Sequence, residues 1–228
     1  MRWHCTRIMK LAITLGIMSL MVIFIEGTSK MLNLTEVAGN FLARRYGGRL
    51  KTYSLTQGYR LSNEPAVRGI VRKFMYEGAC ERRKGFNPRK CKHMHTWSVK
   101  KGIVTPFPLP ANITVPYMNK TETFLFNLSG ANTIPRDQRT SAESAIYTTE
   151  KKAVTCHFNV EVDFYGYVTF ELFYARGDEP LKDAIAIGFM EDREKGLMKS
   201  YSEALRFNVT GTYTRRRMCN NRKNGKKF

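Results

Sequence analysis

Two spacings of apolar residues share this chain. Leu34, Val37, Ala38, Phe41 and Leu42 recur at helical spacing, with Asn33 or Thr35 as cap and Gly47-Gly48 as stop. They predict an N-terminal helix. Period two then takes over: Tyr53, Leu55, Tyr59 and Leu61 alternate with polar residues, interrupted only by Gln57. Val67 to Tyr76 fits a helical stripe too, but its β-branched and aromatic content reads as a strand. Thr96 to Thr105 reads as another. Pro106, Pro108, Pro110 and Pro116 then mark a connection, since proline cannot sit in a central strand.

The strongest alternation comes later. Phe124, Phe126 and Leu128 share one face of a strand. Val154, Cys156, Phe158, Val160 and Val162 share another, and Val168, Phe170, Leu172 and Tyr174 a third. The last two runs, separated by Asp163-Phe164-Tyr165-Gly166, predict a β-hairpin. Asp178 would cap a second helix through Pro180, Leu181, Ala184, Ile185 and Phe189, ended by Gly196. Phe207 to Thr214 reads as a last short strand, and residues 215–228 as a mobile basic tail. The expected fold is mainly β: an up-and-down antiparallel barrel over 30–214 with an N-terminal and a C-terminal helix, closure removing exposed edges. A β-sandwich is the alternative.

The chain's start changes the compartment. Arg2, Arg7 and Lys10 precede an uncharged run from Leu11 to Ile25, with small residues at Gly27 to Ser29. Residues 1–29 therefore read as a secretory signal peptide; the apolar run would span roughly 22 Å as a helix, short of a bilayer core. An uncleaved anchor is the alternative; no stable membrane span is expected. Asn33, Asn112, Asn119, Asn127 and Asn208 each begin a glycosylation sequon and should lie near the surface. Without the signal, Cys80, Cys91, Cys156 and Cys219 remain, an even number that in a secreted chain implies two disulfides of open connectivity.

Charge adds a second lead. Lys and Arg number 38 against 19 Asp and Glu, a formal net charge of +19. Arg82, Arg83, Lys84, Arg89, Lys90 and Lys92 form one cluster, and Arg215, Arg216 and Arg217 open another. In a secreted chain these suit an extracellular polyanion or an anionic lipid surface rather than nucleic acid. Cys91, His93 and His95 alternate but lack a fourth ligand for zinc, so no metal is expected. No nucleophile elbow, zinc-protease motif or phosphate loop occurs, so the chain does not read as an enzyme and no cofactor is expected.

Ala145-Ile-Tyr-Thr-Thr149, Cys156-His-Phe-Asn-Val160 and Phe170-Glu-Leu-Phe-Tyr174 together resemble the salivary lipocalins of ticks. Phe170 stands where that family often has a Cys and Phe173 where it often has a Trp, so the family's disulfide pairing does not carry over. The resemblance implies an eight-stranded barrel that sequesters a small amine or lipid mediator to blunt host defence. Glu161, Glu171, Tyr165 and Tyr167 would then be candidate ligand-binding residues. The alternative function is a polyanion- or host-protein-binding chain acting through its basic patches.

Overall fold

Asn33 ends a short strand, β1 (Lys30–Asn33), and begins a helix, α1 (Leu34–Tyr46). Its Oδ1 accepts from the backbone N–H groups of Thr35 and Glu36 at 3.0 and 3.3 Å, satisfying two of the donors that every helix start leaves open. Leu34, Val37, Ala38 and Leu42 form the buried stripe, and Gly47, at φ 57°, terminates the helix. The expected N-terminal helix and its cap are thus present. The computed structural model describes residues 30–58, 64–77, 91–117, 120–137, 149–173, 181–201 and 203–219.

Twelve further strands follow among the described residues. They are β2 (Leu50–Ser54), β3 (Arg68–Val71), β4 (Met75–Tyr76), β5 (Cys91–Val104), β6 (Pro110–Tyr117) and β7 (Lys120–Asn127). Next come β8 (Thr133–Asp137), β9 (Thr149–Tyr165), β10 (Tyr167–Leu172), β11 (Leu181–Ala186), β12 (Leu197–Lys199) and β13 (Leu205–Cys219). The fold is mainly β, as the alternation predicted. Three long strands, β5, β13 and β9, run antiparallel as the spine of one sheet in the order β1-β5-β13-β9-β3. β8 adds to β5, β12 to β13 and β4 to β9. A second sheet has the order β11-β10-β2, and among the described residues β6 pairs only with β7.

This order corrects the barrel. Up-and-down closure pairs sequence neighbours around a ring, whereas here β5 lies between β13 and the parallel strand β1. No pairing among the described residues joins β3 back to β1. The predicted hairpin at 153–174 is also absent. β9 stays in the long sheet, while β10 pairs with β11 and β2 in the other. The chain turns a corner at Gly166, whose φ of 105° suits glycine, and Tyr167 N–H donates to the Pro65 carbonyl at 2.9 Å. The apolar parity of the two runs was right: Cys156, Phe158, Val160, Val162, Val168, Phe170 and Leu172 are all buried, and so is Phe164, which had read as part of the turn. The glycine marks a bend between sheets, not a reversal.

The C-terminal helix is corrected as well. Leu181–Ala186 is strand, held along β10 from Leu172↔Leu181 to Tyr167↔Ala186, and only a short 3-10 turn follows at Ile187–Met190. Asp178 and Pro180 lie outside the described residues. The last strand is far longer than the predicted 207–214: Arg215, Arg216 and Arg217 belong to β13 rather than to a mobile tail.

Candidate functional site

The β6–β7 hairpin is the one element among the described residues whose backbone ladder joins no other strand. Its register runs from Pro110↔Asn127 to Tyr117↔Lys120. Each strand alternates. Ala111, Ile113 and Val115 are buried on β6, and Phe124 is buried beside a half-buried Phe126 on β7; Asn112, Thr114, Thr121 and Thr123 face out. Thr114 and Thr123 meet across the outer face, Oγ1 to Oγ1, at 3.2 Å. Pro110 and Pro116 are tolerated because a two-stranded ribbon is all edge. The proline-marked stretch is therefore half of an amphipathic hairpin.

Side chains alone seat this hairpin on the long sheet. Phe126 lies 5.5 Å from the Trp97 ring, and Phe124 lies 5.9 Å from both Trp97 and His95. Trp97 is fully buried and donates Nε1–H to Tyr76 Oη at 3.1 Å; His95 Nδ1 lies 2.8 Å from Tyr213 Oη. Burial pushes the Tyr76 phenol up to about 12, against the opposing effect of the Trp97 hydrogen bond, and raises that of Tyr213 as well. Both phenols stay neutral at physiological pH, so the aromatic bed carries no phenolate charge.

Below the hairpin its two stems are tied to each other. Thr105 N–H donates to Ser129 Oγ at 2.9 Å, Leu128 N–H donates to the Leu109 carbonyl at 2.9 Å, and Asn127 Oδ1 accepts from Leu109 and Ser129 N–H. Lifting the strands from the sheet would expose apolar surface but break no ladder within Pro110–Asn127. The polar face is not wholly polar: Leu125, 72 % exposed, sits between Thr123 and Asn127.

The residues expected to bind a mediator do not converge. Glu161 Oε2 lies 3.3 Å from Arg206 Nη1, on the solvent side of the long sheet. Glu171, on the other sheet, lies between Lys51 and Lys182 at 3.5 and 3.3 Å. Tyr165 Oη accepts from Arg72 at 3.4 Å, and Tyr167 Oη donates to Glu203 at 2.9 Å. Each is engaged locally, and all four lie on the face opposite the packed side of β9 and β10. Sequestration of an amine or lipid in a barrel lumen is therefore withdrawn.

Near Glu161 lies a different cluster. The Asp163 side chain is fully buried; it accepts from Arg206 Nε at 2.7 Å and from Arg72 Nε at 2.9 Å. Burial opposes its charge, but the hydrogen bonds from Arg206 and Arg72 outweigh that cost and hold its carboxyl below the usual range. The cluster ties β9 and β13 to the segment after β3.

Of the sequons, Asn33, Asn112 and Asn127 are exposed and Asn208 is partly buried; Asn119 lies outside the described residues. Cys156 is buried opposite Tyr213, Cys91 stands opposite Cys219 in register, and Cys80 lies outside. Arg82, Arg83, Lys84, Arg89 and Lys90 also lie outside, whereas Lys92 begins β5 opposite Met218. Among the described residues no group of His, Cys, Asp and Glu could hold a metal ion, and no helix is long and apolar enough to cross a membrane.

No protein-family model and no curated sequence matches the chain. Solved structures do. A chain of the Cry23Aa1–Cry37Aa1 binary protein complex is similar at a TM-score of 0.54 and 12 % identity, over 83 % of this chain and 86 % of that one. A non-toxic crystal protein from Bacillus thuringiensis follows at 0.43 and 10 %, over 83 % and 94 %. The Mpp75Aa1.1 beta-pore-forming protein from Brevibacillus laterosporus stands at 0.28 and 10 %, over 74 % and 67 %. The fold likeness to the chain of the Cry23Aa1–Cry37Aa1 complex overturns the tick-lipocalin resemblance, and with it the salivary role it implied. At such identities the likeness is one of fold: an open, long-stranded β architecture shared with a crystal-protein complex.

Proposed function

We propose that this chain is a membrane-inserting β-protein in which the β6–β7 hairpin leaves the long sheet and enters a bilayer with hairpins from other copies. The observation that carries this reading is the hairpin's isolation: an amphipathic ribbon bonded to no other strand among the described residues and held by its apolar face. Undocking exposes Ile113, Val115 and Phe124; a bilayer buries them again, so the hydrophobic cost of leaving the sheet is largely recovered. The Thr and Asn face would then line a wet interior. With Leu109 and Leu128 included, each strand reaches the roughly nine residues that a tilted transmembrane strand requires. One hairpin cannot close a barrel, so several copies must combine. The action is insertion rather than catalysis, and it carries forward the expectation of an exported chain.

A tether tests it. The side chain of Leu109, at the hairpin's base, touches Gly69 of β3, so Gly69→Cys with Leu109→Cys can bridge the hairpin to the sheet. The oxidised double variant should release less than about a tenth of the dye that the untethered chain releases from loaded vesicles, and reduction should restore release. Each single variant and the parent, treated with the same reductant, serve as controls. Full release from the oxidised form would refute insertion of this hairpin.

A further inference from the structure

The strand register gathers basic residues at one end of the long sheet. In β13, Arg215, Arg216 and Arg217 stand opposite His95, Met94 and His93 of β5, and Lys92 stands opposite Met218. On the far side of β5, Arg136 of β8 stands opposite His95. On the far side of β13, Lys151 and Lys152 lie between Glu150, opposite Met218, and Ala153, opposite Arg216. Asp137 and Glu150 are the acidic residues of the same stretch. The strands run in the order β8-β5-β13-β9, so these positions span about 14 Å across the end of the sheet, on both of its faces.

The hairpin leads to the same end. Its base packs at the opposite end of the sheet, Phe107 lying 6.4 Å from Phe164. Further along, Phe126 rests on Trp97 and Phe124 on His95. Lys120 lies four steps along the strand from Phe124, as Cys91 does from His95, about 13 Å in either strand. The last described residues of the hairpin, Tyr117 and Lys120, therefore come level with the basic end.

We propose that this basic end seats the protein on an anionic lipid headgroup surface, with the Tyr117↔Lys120 end of the β6–β7 ladder brought to the bilayer. The inference rests on the insertion reading and adds where and on what lipid insertion begins. An end this broad matches a charged plane, and its coincidence with the hairpin's end is what favours a membrane over a soluble polyanion. Each Lys or Arg near such a surface contributes about 1 kcal/mol.

Flotation of the full chain with phosphatidylcholine vesicles, with and without phosphatidylserine, tests this. The chain should float only with the anionic vesicles, and about 1 M salt present from the start, where the screening length falls to about 3 Å, should prevent flotation. Arg215→Gln with Arg216→Gln should lower partition about 30-fold, two surface cations at a tenfold per 1.4 kcal/mol. Arg215→Lys with Arg216→Lys should keep most of the binding, which separates charge from folding. Equal flotation with neutral vesicles, an unchanged Gln variant, or retention on heparin without vesicle binding would overturn the proposal. Salt-sensitive binding without dye release would overturn the insertion reading and leave the docking. Dye release indifferent to phosphatidylserine would do the reverse.

Discussion

Replacing Phe124 by Ala should loosen one part of the molecule and spare the rest. Phe124 is 6 % exposed and lies against His95, Trp97 and Phe126, so truncation removes a ring from the seat that holds the hairpin down. Buried Phe→Ala changes cost about 3–5 kcal/mol. Phe124 packs at a joint between layers rather than in the middle of the spine, so the lower end, about 3 kcal/mol, is the appropriate figure. If the hairpin opens as a unit, its open population rises roughly 100-fold. Amide hydrogen exchange would show that rise in Pro110–Tyr117 and Lys120–Asn127, with little change in the central pairs of β9 and β13. Leu205→Ala, in the core of β13, is the contrasting variant and should speed exchange throughout the long sheet. Equal acceleration of hairpin and spine in Phe124→Ala would refute the reasoning, because it would make the hairpin an inseparable part of one cooperative unit. Because the same ring faces lipid after insertion, the variant should release dye sooner but not to a greater extent.

Other consequences follow from the scaffold. Asp163 has its carboxyl held below the usual range, so its stabilisation is complete above the unfolded-state value and fades as pH falls through the lower folded-state value. Thermal melts should therefore lose stability below about pH 4, and Asp163→Asn should melt lower at neutral pH with a shallower acid slope; parallel acid slopes would refute this. Gly166→Ala should cost at least about 1–3 kcal/mol, since φ is 105° and an added Cβ would meet the Ala66 carbonyl; an unchanged melting temperature would show that the corner is not strained. Tyr76→Phe should lower stability by about 1 kcal/mol by leaving the buried Trp97 N–H without its acceptor, read from denaturant unfolding.

Much of the architecture was legible in the chain. Helix α1 follows from its 3.6-residue stripe and from an Asn side chain able to satisfy the first N–H groups. Buried positions of β9 and β10 follow from strict alternation, because parity is a property of one strand. Partner choice is not. Alternation from Cys156 to Leu172 is the same whether the chain reverses at Gly166 or bends there into a second sheet. Phe164 and Tyr165 beside that glycine, strand-forming residues where a turn needs polar ones, were the available signal for a bend. Leu181 to Ala186 shows the other limit. Its residues suit a helix locally, yet six register pairs with β10 hold it extended.

The hairpin was half legible. Thr121 to Leu128 reads as a strand, whereas its partner was hidden by prolines that exclude a central strand but not a ribbon edge. Ala111, Ile113 and Val115 alternate straight through Pro110 and Pro116, and that was the clue. The basic clusters were visible, but only the register between β5 and β13 brings Lys92 and Arg215–Arg217 to one end. The lipocalin-like tripartite resemblance spans segments of such alternation, a pattern that many β folds share.

Insertion is tested most directly by an environment-sensitive fluorescent residue encoded in turn at positions 111 to 115. On addition of phosphatidylserine vesicles whose acyl chains carry a collisional quencher, probes at Ala111, Ile113 and Val115, shielded by protein before insertion, should be quenched by lipid, while those at Asn112 and Thr114 are not. Absence of lipid quenching at Ile113 and Val115, or equal quenching at all five positions, would contradict a hairpin that leaves the sheet to span the bilayer.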